Sequence, residues 1–154
     1  MRAQRVKRDG AEQIFITVKN GEARILIPGE PVCFDMVTDK DGGTIKAPAA
    51  ISVNFPAGVV VKTIGTSGNH DEYGEIQAYG YITTLRVMVG ASLYPGDYLK
   101  MAAGTSCFNS AVFAATTIGT EAEIKALKQA IAIAGTTIGS STYAQEICGF
   151  VRAL

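Results

Sequence analysis

Two short patterns occur twice in this chain at nearly one spacing, and they restrict its possible folds more than any other feature. Pro28-Gly29-Glu30-Pro31-Val32 returns 67 positions later as Pro95-Gly96-Asp97-Tyr98-Leu99. Tyr79-Gly80-Tyr81-Ile82-Thr83-Thr84-Leu85 returns 69 positions later as Cys148-Gly149-Phe150-Val151-Arg152-Ala153-Leu154. The first pattern is turn chemistry: proline presets φ, glycine supplies φ > 0, and the acid can accept backbone N–H bonds that close the turn. The second is strand chemistry, aromatic and β-branched, with Leu85, Val87 and Val89 on one face. Two independent echoes at nearly the same offset suggest an internal duplication, with half-repeats at about 25–90 and 92–154. Each half would run from a Pro-Gly-acid turn, through a loop excursion, to a Gly-aromatic-aliphatic strand. The two halves would pair around a pseudo-twofold axis.

The remaining segments fill in a mainly β chain. Residues 1–13 are polar, mixed in charge and without a period, and read as an extended N-terminal arm ahead of a single β-rich domain at 14–154. Ile14 to Val18 is a short strand, Asn20-Gly21 is a hairpin signal, and Ala23 to Ile27 reads as the return strand. Pro31 to Asp35 continues as a strand with proline at its start, where the missing N–H is tolerated. Ile51 to Phe55 reads as a strand ended by Pro56-Ala57-Gly58, and Val59 to Ile64 as another. Glu75 to Val89 is a long strand, bent near Gly80. Tyr98 to Met101, one short stretch within 102–115, and Glu146 to Leu154 complete the set. The last is apolar enough to be expected inside a sheet. One α-helix is expected at 120–134, from Thr120 and Glu123 as a capping box, Ile124, Leu127, Ile131 and Ala134 at helical spacing, and Gly135 as terminator. Short strands with frequent turn signals predict a small β-barrel or β-sandwich with a helical insertion.

Charge enters where partners are at issue. Charged residues are 18% of the chain against 47% hydrophobic. The charged fraction lies below the roughly 25% of an average soluble domain. So little polar surface favours assembly with another subunit or a partner, a compact monomer with a large core being the alternative. Net charge is zero, so there is no overall basic field for nucleic acid or an anionic membrane. Arg2, Arg5, Lys7 and Arg8 nevertheless concentrate four basic residues in the first eight, suited to an acidic surface or to a solvated arm. No apolar run approaches the 18 residues of a membrane span, and no apolar segment follows the basic N-terminus as a secretory signal would require. Cys33, Cys107 and Cys148 are odd in number and widely spaced, which fits small buried residues in a reducing compartment better than a disulfide framework or a zinc site.

Catalytic and metal constellations are sparse. The one histidine, His70, lies beside Asp71, Glu72 and Glu75 in a polar loop. Consecutive residues do not converge on one centre, so a loop at a sheet end is the preferred reading over a metal ligand or base. Asp35, Asp39 and Asp41 invite a calcium reading, but no glutamate follows at the spacing a calcium loop needs. No nucleophile elbow, phosphate loop or dinucleotide fingerprint is present. The expectation is therefore no enzyme, no cofactor and no metal. Tyr73, Tyr79, Tyr81, Tyr94 and Tyr98 gather in a region with few basic residues, chiefly Arg86 and Lys100. That speaks against nucleic-acid stacking, and Tyr79, Tyr81, Tyr94 and Tyr98 read instead as interface anchors.

With the basic arm, Gly29-Glu30-Pro31-Val32, Tyr79-Gly80-Tyr81-Ile82, Pro95-Gly96-Asp97-Tyr98-Leu99-Lys100 and Ile147-Cys148-Gly149-Phe150-Val151 in this order, the chain resembles the head-decoration, or cement, proteins of tailed bacteriophages. The resemblance implies a β-rich structural protein on the virion capsid surface, made in the host cytoplasm, that clamps neighbouring major capsid subunits, commonly as a homo-trimer. Residues 1–13 would match the family's clamping arm, with Arg2, Arg5, Lys7 and Arg8 toward an acidic capsid surface. The helix at 120–134 has no counterpart in that family. A second hypothesis is a receptor- or glycan-binding β-module of a phage fibre or tail, using the loops at 36–50 and 65–74. A third is a small β-barrel hydrolase using Asp97 or Asp71.

Overall fold

The aromatic and β-branched run from Tyr73 to Val87 produces the longest element among the described residues, a 15-residue strand that pairs with four others and lies at the centre of the sheet. The computed structural model describes residues 2–8, 11–49, 55–66, 69, 71–88, 92–110, 130–139 and 143–153. Within them lie ten strands: β1 (Arg2–Arg8), β2 (Ala11–Asn20), β3 (Pro31–Phe34), β4 (Thr44–Lys46), β5 (Pro56–Val60), β6 (Tyr73–Val87), β7 (Tyr98–Met101), β8 (Phe108–Ser110), β9 (Ala130–Ala134) and β10 (Gln145–Arg152). They form one sheet in the order β1-β2-β4-β3-β5-β6-β10-β9-β7-β8, with β2 also paired to β6 and β6 to β8.

Those two extra pairings close the sheet on itself twice. One circuit runs β2-β4-β3-β5-β6 and back to β2; the other runs β6-β8-β7-β9-β10 and back to β6. Both have the same senses: one parallel step, β2–β4 or β6–β8, and four antiparallel ones. The parallel steps are thin. β2 and β4 share two residue pairs, and β6 and β8 share only Val87 with Phe108. The result is a large sheet that folds back twice rather than a clear barrel.

Each circuit wraps its own apolar core. Ile16, Val18, Leu26, Val32, Ile45, Val60, Ile64 and Ile76 fill the first. Ile82, Leu85, Val87, Leu93, Leu99, Met101, Phe108, Ile131, Ile147 and Val151 fill the second. Cys33 and Val59 of the first half belong to the second core, and the Cys33 thiol lies 3.5 Å from the Met101 sulfur. Burial of these side chains, at about 25 cal/mol per Å² of apolar surface, is what holds the two circuits together. β6 crosses between them at Gly80, the expected bend, whose φ of +108° suits glycine. A β-carbon there would sit 2.4 Å from the Glu12 carbonyl oxygen.

The Pro-Gly-acid turns are alike in backbone detail. Gly29 N–H donates to the Val60 carbonyl and Val60 N–H to the Glu30 carbonyl. In the second turn Gly96 N–H donates to Ala134 O and Ala134 N–H to Asp97 O. Just before each turn an isolated bridge pairs Leu26 with Ile64 and Leu93 with Ile138.

Four expectations from sequence fail. Residues 2–8 are not a free arm: β1 pairs antiparallel with β2 from Arg2↔Thr17 to Arg8↔Ala11, and 11–13 already belong to β2. A polar segment gains this ladder because its backbone groups find partners irrespective of side-chain pattern. The helix does not reach 130–134, which is strand β9 between β7 and β10. Ala130-Ile131-Ala132-Ile133-Ala134 also carries a period-2 pattern, and a slot between two strands satisfies both of its edges. Residues 120–129 lie outside the described residues, within which there is no α-helix. Finally, Ala23 to Ile27 is not a return strand. Asn20 is buried, its side chain accepts from Glu22 N–H and donates to Arg24 O, and this side-chain-to-backbone bonding replaces the hairpin turn. Pro56-Ala57-Gly58, expected to end a strand, starts β5 instead.

Candidate interaction surface

The face of the second circuit that points away from its core gathers most of the predicted anchors. Ile82, Val151, Ala132 and Leu99 are buried inward. Their strand neighbours Tyr81, Phe150, Ile133 and Tyr98 alternate outward and lie side by side through the pairings Tyr81↔Phe150, Phe150↔Ile133 and Tyr98↔Ile133. Tyr79 adds an edge-to-face contact on Phe150, with ring centroids 5.0 Å apart. Arg152 stacks its guanidinium 5.0 Å above the Tyr98 ring. Tyr81 is 47% exposed, and its phenol is raised above the usual tyrosine value by a hydrogen bond with the half-buried Cys148 thiol. Lateral aromatic neighbours flanked by a cation match the composition of interface centres.

Tyr94 is not in this row. It precedes β7 in the Pro-Gly-Asp turn, exposed, and its N–H donates to the Asp97 carboxylate at 2.8 Å. Asp97 is thus a turn acid, as its position after Pro-Gly suggests. Arg2, Arg5, Lys7 and Arg8 all fall on β1, opposite Thr17, Ile14, Glu12 and Ala11 in the ladder. Among the described residues β1 pairs with β2 alone, so it stands at the edge of the sheet. His70 lies outside the described residues. Asp71 forms a surface ion pair with Lys19 at 2.7 Å, which raises the lysine pKa. Among the described residues no three His, Cys, Asp or Glu side chains converge as a metal site. No helix among them is long and apolar enough to cross a membrane.

Sequence reasoning missed two features. Glu30, 2% exposed, is held by Arg24 at 2.9 Å and by Arg86 at 3.4 Å, and Arg24 also donates to the Ser106 hydroxyl. The network ties the first turn to β6 and to the loop before β8. The acid of the first Pro-Gly pattern was legible; its partner Arg86, 56 positions away, was not. The other feature is a pocket of about 290 Å³ beside β3 and β4, walled by Phe34, Met36, Val37, Ala47, Ala49 and Phe55. Asp35 at its side is held well below the usual carboxylate range, at about 2, by Lys46 at 2.7 Å and by the Thr38 hydroxyl.

No family model matches the chain, and no curated protein matches it. Its fold is similar to that of the head fibre gp8.5 N base of bacteriophage phi29, with a TM-score of 0.50 and 12% sequence identity over 92% of this chain and 95% of that one. At that identity the likeness is one of fold.

Proposed function

We propose that this chain is a non-catalytic structural protein of a tailed-phage virion, seated on the outside of the head. One observation carries the reading: a fold likeness over nearly the whole of both chains to a base of a phage head fibre. In the cement form of the proposal the chain docks across neighbouring major capsid subunits and stabilises their contacts as a homo-oligomer, a trimer being favoured. Two features support a docking role. The aromatic row of Tyr79, Tyr81, Phe150, Ile133 and Tyr98 has the make-up of an interface centre. The basic residues of β1 suit an acidic surface and stand on an edge strand. A standard interface needs about 800 Å² per partner, and repetition over a capsid lattice multiplies modest contacts. The matched pairing of the two circuits supports half-repeats at about 25–90 and 92–154.

The same likeness favours equally a second reading, in which the chain is a base or module of a fibre. Sedimentation of purified protein with assembled heads tests both. Each expects co-sedimentation. The cement reading expects the heads to withstand higher temperature once decorated. The fibre reading expects unchanged head stability and attachment of a further fibre segment. Heads that sediment without the protein at micromolar concentration would refute both.

A further inference from the structure

We propose that the pocket beside β3 and β4 is an anchor site for a single aromatic side chain presented by the protein on which this chain docks. The inference rests on the head-surface reading for the identity of that partner and on the pocket alone for its chemistry.

Size is the first argument. At about 290 Å³ the pocket is just below the roughly 300 Å³ at which sites for drug-sized ligands begin. It is about twice the apolar cavity of roughly 150 Å³ that holds a benzene molecule. One aromatic side chain with part of its backbone fits; a long ligand does not. The second argument is that the polar groups in the wall are already satisfied. The Asp35 carboxylate takes the Lys46 ammonium and the Thr38 hydroxyl. Glu22 accepts the Ala47 N–H at 2.8 Å. With the charge of Asp35 balanced by Lys46 and a Glu22 oxygen held by the Ala47 N–H, six of the ten lining residues are apolar, and the wall rewards apolar surface. Third, three of the large exposed apolar side chains of the molecule stand around this one opening: Val37 at 80%, Phe55 and Met36. Covering them with a partner removes apolar surface from water, and the unbranched Met36 can shape itself to a ring.

The test has two arms. In the first, methyl signals of Met36, Val37, Ala47 and Ala49 are followed by NMR while N-acetyl-phenylalanine amide, N-acetyl-leucine amide and N-acetyl-lysine amide are titrated in turn. The expected order of binding is phenylalanine, then leucine, with lysine at least tenfold weaker. Val37→Asp and Ala49→Phe, both at exposed positions, should each abolish the shifts while the melting curve by circular dichroism is unchanged. Equal response to the three amides, or shifts that persist in both variants, would overturn the anchor chemistry. In the second arm the same variants are sedimented with heads, and at least a tenfold loss of affinity is expected. Wild-type affinity in both would overturn the docking role with the head-surface reading intact. If wild type itself does not bind heads, the partner assignment falls with that reading, while the first arm decides the pocket.

Discussion

The two Pro-Gly-acid turns share sequence and backbone hydrogen bonds, yet they sit in different surroundings. In the first, Arg86 N–H donates to Gly29 O at 3.0 Å, and a β-carbon on Gly29 would meet the Arg86 backbone nitrogen at 3.0 Å and its Cγ at 2.9 Å. Glu30 turns inward to two arginines. In the second, nothing lies within 4 Å of where a Gly96 β-carbon would be, and Asp97 turns back onto its own turn through Tyr94 N–H. The same local solution serves once as a joint between the two circuits and once as a surface corner. The motif specifies a bend, and the strand packed against it decides how much energy the acid and the glycine carry.

The largest effect that would break this contrast is at the acids. Glu30→Ala leaves Arg24 and Arg86 facing a vacated site. It should cost about 3 kcal/mol in urea unfolding, against about 1 kcal/mol for Asp97→Ala, which loses a single turn bond. Equal losses would show that Glu30 is no joint. The glycines come next. Both have φ near +90°, at +84° and +93°. Alanine should cost about 1 kcal/mol at Gly96, from backbone strain alone. At Gly29 the collision with Arg86 should raise the loss to about 3 kcal/mol. Comparison of the two melting temperatures reads this directly.

Acid sensitivity separates the loops that follow β3 and β7. Asp35, after β3, is lowered from 3.8 to about 2. The loop after β7 is instead held by the neutral Thr105 hydroxyl, placed between the Ala102 and Cys107 carbonyls. A depressed folded-state pKa contributes stability that is complete above the unfolded value and is lost as pH falls from about 4 toward 2. About 1–2 kcal/mol should vanish over that window, moderated because Lys46 is partly exposed. Asp35→Asn should flatten the profile, and an unchanged slope in that variant would contradict the assignment. The smallest effect is on the aromatic face. Arg152→Ala should cost about 0.5 kcal/mol, through the Tyr98 stack, in a stability measurement of the isolated protein. A larger loss would mean that the stack supports the fold itself.

Much of the strand inventory was legible because it rests on local rules. Tyr73–Val87, Tyr98–Met101 and Gln145–Arg152 announce themselves by alternation, and Gly29 and Gly96 by the φ that follows proline in these turns. The aromatic row was half legible. Tyr79, Tyr81 and Tyr98 could be named as outward aromatics, but Phe150, Ile133 and Arg152 join them only through register between strands up to about 70 residues apart in sequence. Neither the Glu30 network nor the wall of the pocket has a signal in sequence spacing. Each is assembled from separate loops and strands that meet only in the folded chain.

Sequence alone determined that this chain would be mainly β, that its long strand would bend at Gly80, and that its two Pro-Gly-acid turns would be built alike. These follow from side-chain alternation and from the φ preferences of proline and glycine, which act within a few residues. Tertiary structure alone decided that Arg2–Arg8 is a paired strand and that Ala130–Ala134 fills a gap between β7 and β10. It also decided that Glu30 is buried between two arginines while Asp97 is not. Those outcomes depend on which backbone edges and charges are left to be satisfied once distant strands have met, and no local preference is strong enough to outweigh a ladder of hydrogen bonds and a buried ion pair.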